Sequence, residues 1–142
     1  MRSVQVAIDI SAPAERVWQA VADIASWPRW TPSTTDVKRL DTGPLQVGSR
    51  ARVRQPGLPA LVWEVTELNE SSAFTWITRI PGVLTTARHD ISETEGGSRL
   101  TLTLTWNGPL AGVVAALNAK RARHSMTQEA NGHKAASEAS AS

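Results

Sequence analysis

The sequence predicts an α+β fold in which a curved antiparallel sheet of about seven strands wraps on a long C-terminal helix, with short helices between strands 1 and 2. Three observations predict it. Val4, Val6, Ile8 and Ile10 alternate with Gln5, Ala7 and Asp9 at the start of the chain. The stretch from Thr34 to Trp106 alternates in the same way between glycine and proline breaks. After Asn107-Gly108-Pro109 the apolar period changes from that of a strand to that of a helix.

The opening alternation is a strand with one buried face. Ser11-Ala12-Pro13-Ala14-Glu15 opens a helix, with Ser11 or Ala12 at the cap and Pro13 in the first turn. Val17, Val21 and Ile24 fall on one face with Trp18 beside them, which predicts about three turns. Pro28 and Pro32 end that helix and leave Trp27 and Trp30 in a short lid. Breaks between strands fall at Gly43-Pro44, Gly57-Leu58-Pro59, Asn69-Glu70, Pro81-Gly82 and Gly96-Gly97, the last reading as a two-residue hairpin turn. Beyond it, Leu100, Leu102, Leu104 and Trp106 share one face and Thr101, Thr103 and Thr105 the other. Before it, Thr85, Ala87, His89 and Ile91 share a face, while Arg88 and Asp90 prefer water, so His89 is expected inward. Leu110, Val113, Val114 and Leu117 form the apolar stripe of the final helix, which is expected to reach about Glu138. Its seam turns polar through Arg121, His124 and Gln128, and residues 135–142, rich in Ala and Ser, are expected to fray. A curved sheet gripping one helix can leave a cavity between them, with its mouth expected near Trp27 and Trp30.

A length of 142 residues fits one domain, and 41% hydrophobic residues exclude a disordered chain. The chain has no Cys, which excludes a disulfide, a thiolate nucleophile and a Cys-ligated metal. It has no Tyr, so no phenol can serve as an acid. A net charge of +2 is too small to imply nucleic-acid binding. No apolar run approaches the ~20 residues that span a bilayer. Gln5 and Asp9 interrupt what a signal peptide would need after Met1-Arg2, so a cytoplasmic location is expected. His89, His124 and His133 show no metal-ligand spacing, and there is no phosphate loop or nucleophile elbow; no metal or cofactor is expected.

Several stretches, in this order, carry a resemblance. They are Ser11-Ala12-Pro13-Ala14-Glu15-Arg16-Val17-Trp18, Asp23 with Trp27-Pro28-Arg29-Trp30, Gly48, Arg54-Gln55-Pro56, and Val62-Trp63-Glu64-Val65-Thr66-Glu67. Phe74-Thr75-Trp76, Pro81-Gly82-Val83, His89, Gly97 with Arg99 to Thr103, and Gly108-Pro109-Leu110 follow. Together they resemble the polyketide cyclase/dehydrase group of the START-like (SRPBCC, helix-grip) superfamily. The resemblance covers roughly residues 3–138 and implies an internal cavity for a small hydrophobic molecule; a single helix-grip domain is expected over residues 1–138, with the Ala/Ser-rich end at 139–142 a disordered tail. Such proteins include cyclases, aromatases, lipid carriers and ligand sensors, with no catalytic set common to all. This chain departs from the pattern near Ser125 and His133, where related sequences tend to place apolar residues, so its final helix has an unusually polar seam.

Candidate site residues follow from phase. His89 is the catalytic candidate, since an inward imidazole can carry a proton near neutrality; its alternative is a structural histidine. Gln55 shares phase with Ala51 and Val53 and can donate to a ligand oxygen, or else bond the Gly57–Pro59 loop. Arg50, Arg52 and Arg54 read as a basic stripe on the solvated face; a phase shifted by one would instead turn them into the cavity, to suit an anionic or enolic ligand. Trp63, Trp76 and Trp106 form either plain core or a flat aromatic wall, and Trp27 and Trp30 plug the cavity or touch what enters it. Leu117 completes the candidate ligand-binding set. Lys120, Arg121 and Arg123 read as a solvated basic face, or else as a contact for an anionic partner or membrane surface.

The expected function is binding of a small hydrophobic, aromatic or polycyclic ligand, with a cyclase- or dehydratase-like lyase activity as one version. The alternatives are a non-catalytic lipid or small-molecule carrier or sensor, and an interaction module with a solid core. The expected partner is the small molecule alone, with no nucleic acid and no membrane span, in a monomer or homodimer.

Overall fold

The computed structural model describes residues 2–139. Its elements are β1 (Arg2–Ile10), α1 (Ala14–Ala22), a 3-10 segment (Ile24–Arg29), β2 (Asp36–Arg39), β3 (Arg50–Arg54), β4 (Leu61–Asn69), β5 (Ala73–Ile80), β6 (Val83–Thr94), β7 (Gly97–Asn107) and α2 (Ala111–Ala139). The seven strands form one sheet in the order β1-β7-β6-β5-β4-β3-β2, antiparallel throughout. This is the α+β arrangement that the alternation predicts and the helix-grip domain that the resemblance implies. The register of β4 shifts between Val65 and Glu67, leaving Thr66 as an extra residue. Such a bulge bends its strand and adds to the sheet's twist, which curves the sheet around its cover.

The core lies between the concave face and three covering pieces. Val17, Trp18 and Val21 of α1, Ile24 and Trp27 of the 3-10 segment, and Ala111, Ala115, Met126 and Ala130 of α2 meet Val4, Ile10, Phe74, Ile91, Leu100 and Leu102 of the sheet.

Four local expectations are corrected. Pro13 itself, with an extended ψ of 153°, precedes α1 as its cap, and no side chain caps the helix. Ser11 is engaged elsewhere, its backbone N–H donating to Glu138 Oε2 at 2.8 Å. The β6–β7 turn is Glu95-Gly96, one residue earlier than expected, because Gly97 already pairs with Thr94. Gly97 is needed for another reason: with φ +151°, a Cβ there would sit 2.2 Å from the Ile10 carbonyl oxygen.

The third correction concerns α2. Leu110, Val113 and Leu117 are exposed, Leu117 at 78%. The face that meets the molecule runs instead through Ala111, Ala115, Ala122, Met126, Ala130, His133 and Ser137. Small residues let the helix lie close: a Cβ at Gly132 would sit 2.3 Å from the Trp30 carbonyl oxygen. Bulky Val113 and Leu117 are left outside. Fourth, residues 135–139 are helical rather than frayed. Ser137 is buried with its hydroxyl on the His133 carbonyl at 2.7 Å, and Glu138 holds Ser11. Residues 140–142 of the expected tail lie outside the described residues.

Candidate functional site

A cavity of about 280 Å3 lies between the concave sheet and α2. Its cause is visible in side-chain size. Ala87 is paired with Trp76 on one side and Leu104 on the other, and its methyl cannot fill the curve between them. Across from it, α2 presents Ala122 and Ser125. Small residues on both walls leave the space that larger ones would occupy.

The aromatic wall is built by strand alternation. Trp63 of β4 and Trp76 of β5 pack at 5.5 Å between ring centroids with planes 32° apart. Trp106, paired with Thr85, lines the cavity from β7. Trp27 enters from the 3-10 segment, buried, with its indole N–H on the Val21 carbonyl at 3.1 Å and its ring 5.5 Å from that of Trp76. Gln55 lines the cavity from the end of β3, in phase with buried Ala51 and Val53.

His89 points inward as its phase requires and is 4% exposed. Its cross-strand partner Phe74 stacks on it, centroids 4.1 Å apart and planes 7° apart. Its Nε2 lies 3.3 Å from Glu129 Oε2 on α2. His133, one turn further along the helix, places its own Nε2 3.2 Å from the same oxygen. Trp30 completes the chain: its indole N–H donates to His133 Nδ1 at 3.1 Å.

An indole N–H only donates, so His133 must accept through Nδ1 and carry its proton on Nε2. That hydrogen then points at Glu129. Burial pushes the Glu129 carboxyl up, but the hydrogen bonds from His133 and His89 outweigh it and bring the group down to about 2. A carboxylate 13% exposed on a cavity wall is thus held ionised by two imidazoles.

Six of the predicted residues come together around the cavity: Trp27, Gln55, Trp63, Trp76, His89 and Trp106. Two do not. Leu117 faces out, because the alanine face of α2 occupies the sheet side. Trp30 lies outside the cavity lining, its ring turned to His133 at 6.4 Å. The expected mouth is also displaced. Lining residues near Trp27 and His89 are buried, while Leu58, Ile80 and Arg121 are exposed. Ile80 lies six residues along β5 from Phe74, the partner of His89, or about 20 Å at ~3.3 Å per residue. The mouth is therefore at the β3–β4 loop, the end of β5 and Arg121, whose guanidinium nitrogen lies 3.3 Å from where a Gly57 side chain would begin.

Glu129 and His133 were missed from the sequence. Their signal was the four-residue spacing of Glu129 and His133 on the face marked by Ala122, Met126 and Ala130. Among the described residues, no cluster of three His, Cys, Asp or Glu side chains is suited to a metal ion. The tautomer that Trp30 imposes leaves His133 Nε2 without a lone pair to ligate one.

The fold around this cavity, a bent sheet gripping a long helix, has counterparts. The chain belongs to the polyketide cyclase/dehydrase and lipid transport family, whose model matches residues 1–138. Among solved structures it is similar to the ZhuI aromatase/cyclase from a Streptomyces species, at 17% identity and TM-score 0.78, covering 96% of this chain and 93% of that one. It is similar to protein TTHA0849 of Thermus thermophilus, at 16% identity and TM-score 0.79, covering 99% and 100%. It also matches the di-domain aromatase/cyclase BexL from the BE-7585A biosynthetic pathway, at 19% identity and TM-score 0.73, covering 95% of this chain and 46% of that one. At these identities the likeness is one of fold. No curated protein matches significantly. No helix among the described residues is long and apolar enough to cross a membrane.

Proposed function

We propose that this protein binds a small hydrophobic, aromatic molecule between its sheet and α2. The observation that carries the reading is the cavity of about 280 Å3 walled by Trp63, Trp76 and Trp106. Apolar burial at about 25 cal/mol per Å2 supplies the driving force, and flat indole faces favour a flat guest. Volume limits the guest. An apolar cavity of ~150 Å3 holds benzene, so this one suits about two fused rings.

A fluorescence titration with the neutral naphthalene dye prodan tests it. Saturable one-to-one binding with blue-shifted emission is expected, weakened at least tenfold in Ala87→Trp, which fills the space. Equal binding by both proteins would overturn the reading.

A second reading, a cyclase- or dehydratase-like lyase with His89 carrying the proton, draws on the His89–Glu129 pair at the cavity wall. A carboxylate fixes which imidazole nitrogen carries the hydrogen and which faces the cavity, the positioning that general acid–base chemistry needs. Turnover of a substrate, once one is found, would fall by about 100-fold or more in His89→Ala. Unchanged turnover would remove His89 from the chemistry and leave a carrier or sensor.

A further inference from the structure

Resting on the ligand-binding reading above, we propose that the closed end of the cavity selects molecules with a hydrogen-bond donor, a hydroxyl or N–H, at their leading end, and that Glu129 Oε1 accepts it.

The argument is a count of donors and acceptors. Both imidazoles address one oxygen: His89 and His133 contact Glu129 Oε2 at 3.3 and 3.2 Å. Oε1 has no hydrogen bond among the described residues. Trp30 fixes His133 as a donor, as shown above. His89 Nε2 lies too near a carboxylate oxygen to be bare, so it too carries a hydrogen. In the neutral ring that hydrogen leaves Nδ1 as a lone pair, and this atom is buried without a partner. The two unused polar atoms of the His89–Glu129 pair are then both acceptors. A carbonyl, ether or carboxylate brought there would lose its water and meet only lone pairs, a costly exchange. A hydroxyl or N–H would meet an ionised acceptor in an apolar surround, where such a bond is strongest.

The other end has the opposite character. Gln55 and Arg121 also line the cavity; Gln55 bears an amide NH2 beside its carbonyl, and Arg121 bears donors alone, while Asn118 already donates through its Nδ2 to the Val114 carbonyl at 2.9 Å. Arg121 precedes Glu129 by eight residues, or ~12 Å along the helix. The cavity thus presents acceptors at its closed end and, in the Arg121 guanidinium, a group with donors and no lone pairs toward its mouth. That polarity orients an elongated guest with its hydroxyl or N–H inward and any carbonyl or carboxylate outward.

Calorimetric titration of the full chain with 2-naphthol and its near-isostere 2-methylnaphthalene tests this. The methyl compound is the more hydrophobic, so apolar burial alone favours it. The proposal expects 2-naphthol to bind at least tenfold more tightly, and expects Glu129→Gln to reduce that preference to under threefold while 2-methylnaphthalene binding stays within threefold of wild type. Should Glu129→Gln fail to fold, Glu129→Asp, which withdraws the carboxylate by one methylene, reads the same loss. If both compounds bind and the wild-type preference is below threefold, the donor selection is overturned and the cavity reading stands. A preference that persists undiminished in the folded variant overturns the assignment to Glu129. If neither compound binds, the cavity reading fails and takes the inference with it.

Discussion

The two halves of α2 treat their side chains in opposite ways. In the first half, Val113 and Leu117 face water while Ala111 and Ala115 face the molecule. In the second half, Glu129 lines the cavity, and His133 and Ser137 are buried. A rule that places apolar residues inside and polar ones outside describes neither half. What decides placement is distance and partnership. Where the helix lies close, only a small side chain fits. Where α2 buries His133 and Ser137, their bonds are met: His133 by Trp30 and Glu129, Ser137 by the His133 carbonyl.

Breaking the polar half is expected to have the largest effect. Glu129→Ala leaves two imidazoles in the core without their acceptor and is expected to cost about 3–5 kcal/mol in urea unfolding. A loss under 1 kcal/mol would show that the network contributes little to the fold. The same group sets an acid limit. Its carboxyl ionises near 4.5 when unfolded and about 2 when folded, so the folded state binds fewer protons between those values. Stability from this group is therefore complete above about pH 4.5 and lost as pH falls toward 2, by about 3 kcal/mol in all. Unfolding curves between pH 2.5 and 5 should show that slope in the wild type and a flatter one in Glu129→Gln.

Two glycines sharpen the contrast within one helix. Gly112 has only the end of the Arg2 side chain near its Cβ position, at 3.9 Å, whereas Gly132 faces a backbone oxygen at 2.3 Å. Alanine at Gly112 should stabilise by up to about 1 kcal/mol through helix propensity. The same change at Gly132 should destabilise by about 1–3 kcal/mol through overpacking. Thermal midpoints moving in opposite directions would confirm that closeness of approach divides the helix. Two shifts of the same sign would contradict it. The smallest effect is expected at Leu117→Ala, which should stay within about 0.5 kcal/mol because the side chain is already in water.

Strand alternation made most of the sheet legible. Each break from Gly43-Pro44 to Gly96-Gly97 falls in or beside a turn or loop, and the inward phase of β6 fixes His89 without reference to any other strand. The same periodicity put Gln55, Trp63, Trp76 and Trp106 in the inward phase without deciding between plain core and cavity wall; all four line the cavity. The helix was harder because its bulkiest residues, Val113 and Leu117, suggest a face that lies on the wrong side. With the phase set by leucine and valine, Glu129 and His133 fall off the apolar stripe, and only the resemblance marked His133 as a seam position. The alanine series carries the true phase, but alanine is also a good helix former anywhere, so its spacing alone does not mark a packed face. Trp30 illustrates a different limit: whether an indole faces the cavity or a histidine across the chain depends on a partner 103 residues away.

The most direct test of the central claim, that an oily molecule enters between the sheet and α2, is to follow the six indole N–H signals by nitrogen–proton NMR during a naphthalene titration. The account predicts progressive, saturable shifts for Trp63, Trp76 and Trp106, with Trp30 unmoved. Shifts confined to Trp30, or none at any concentration up to the solubility of naphthalene, would contradict it.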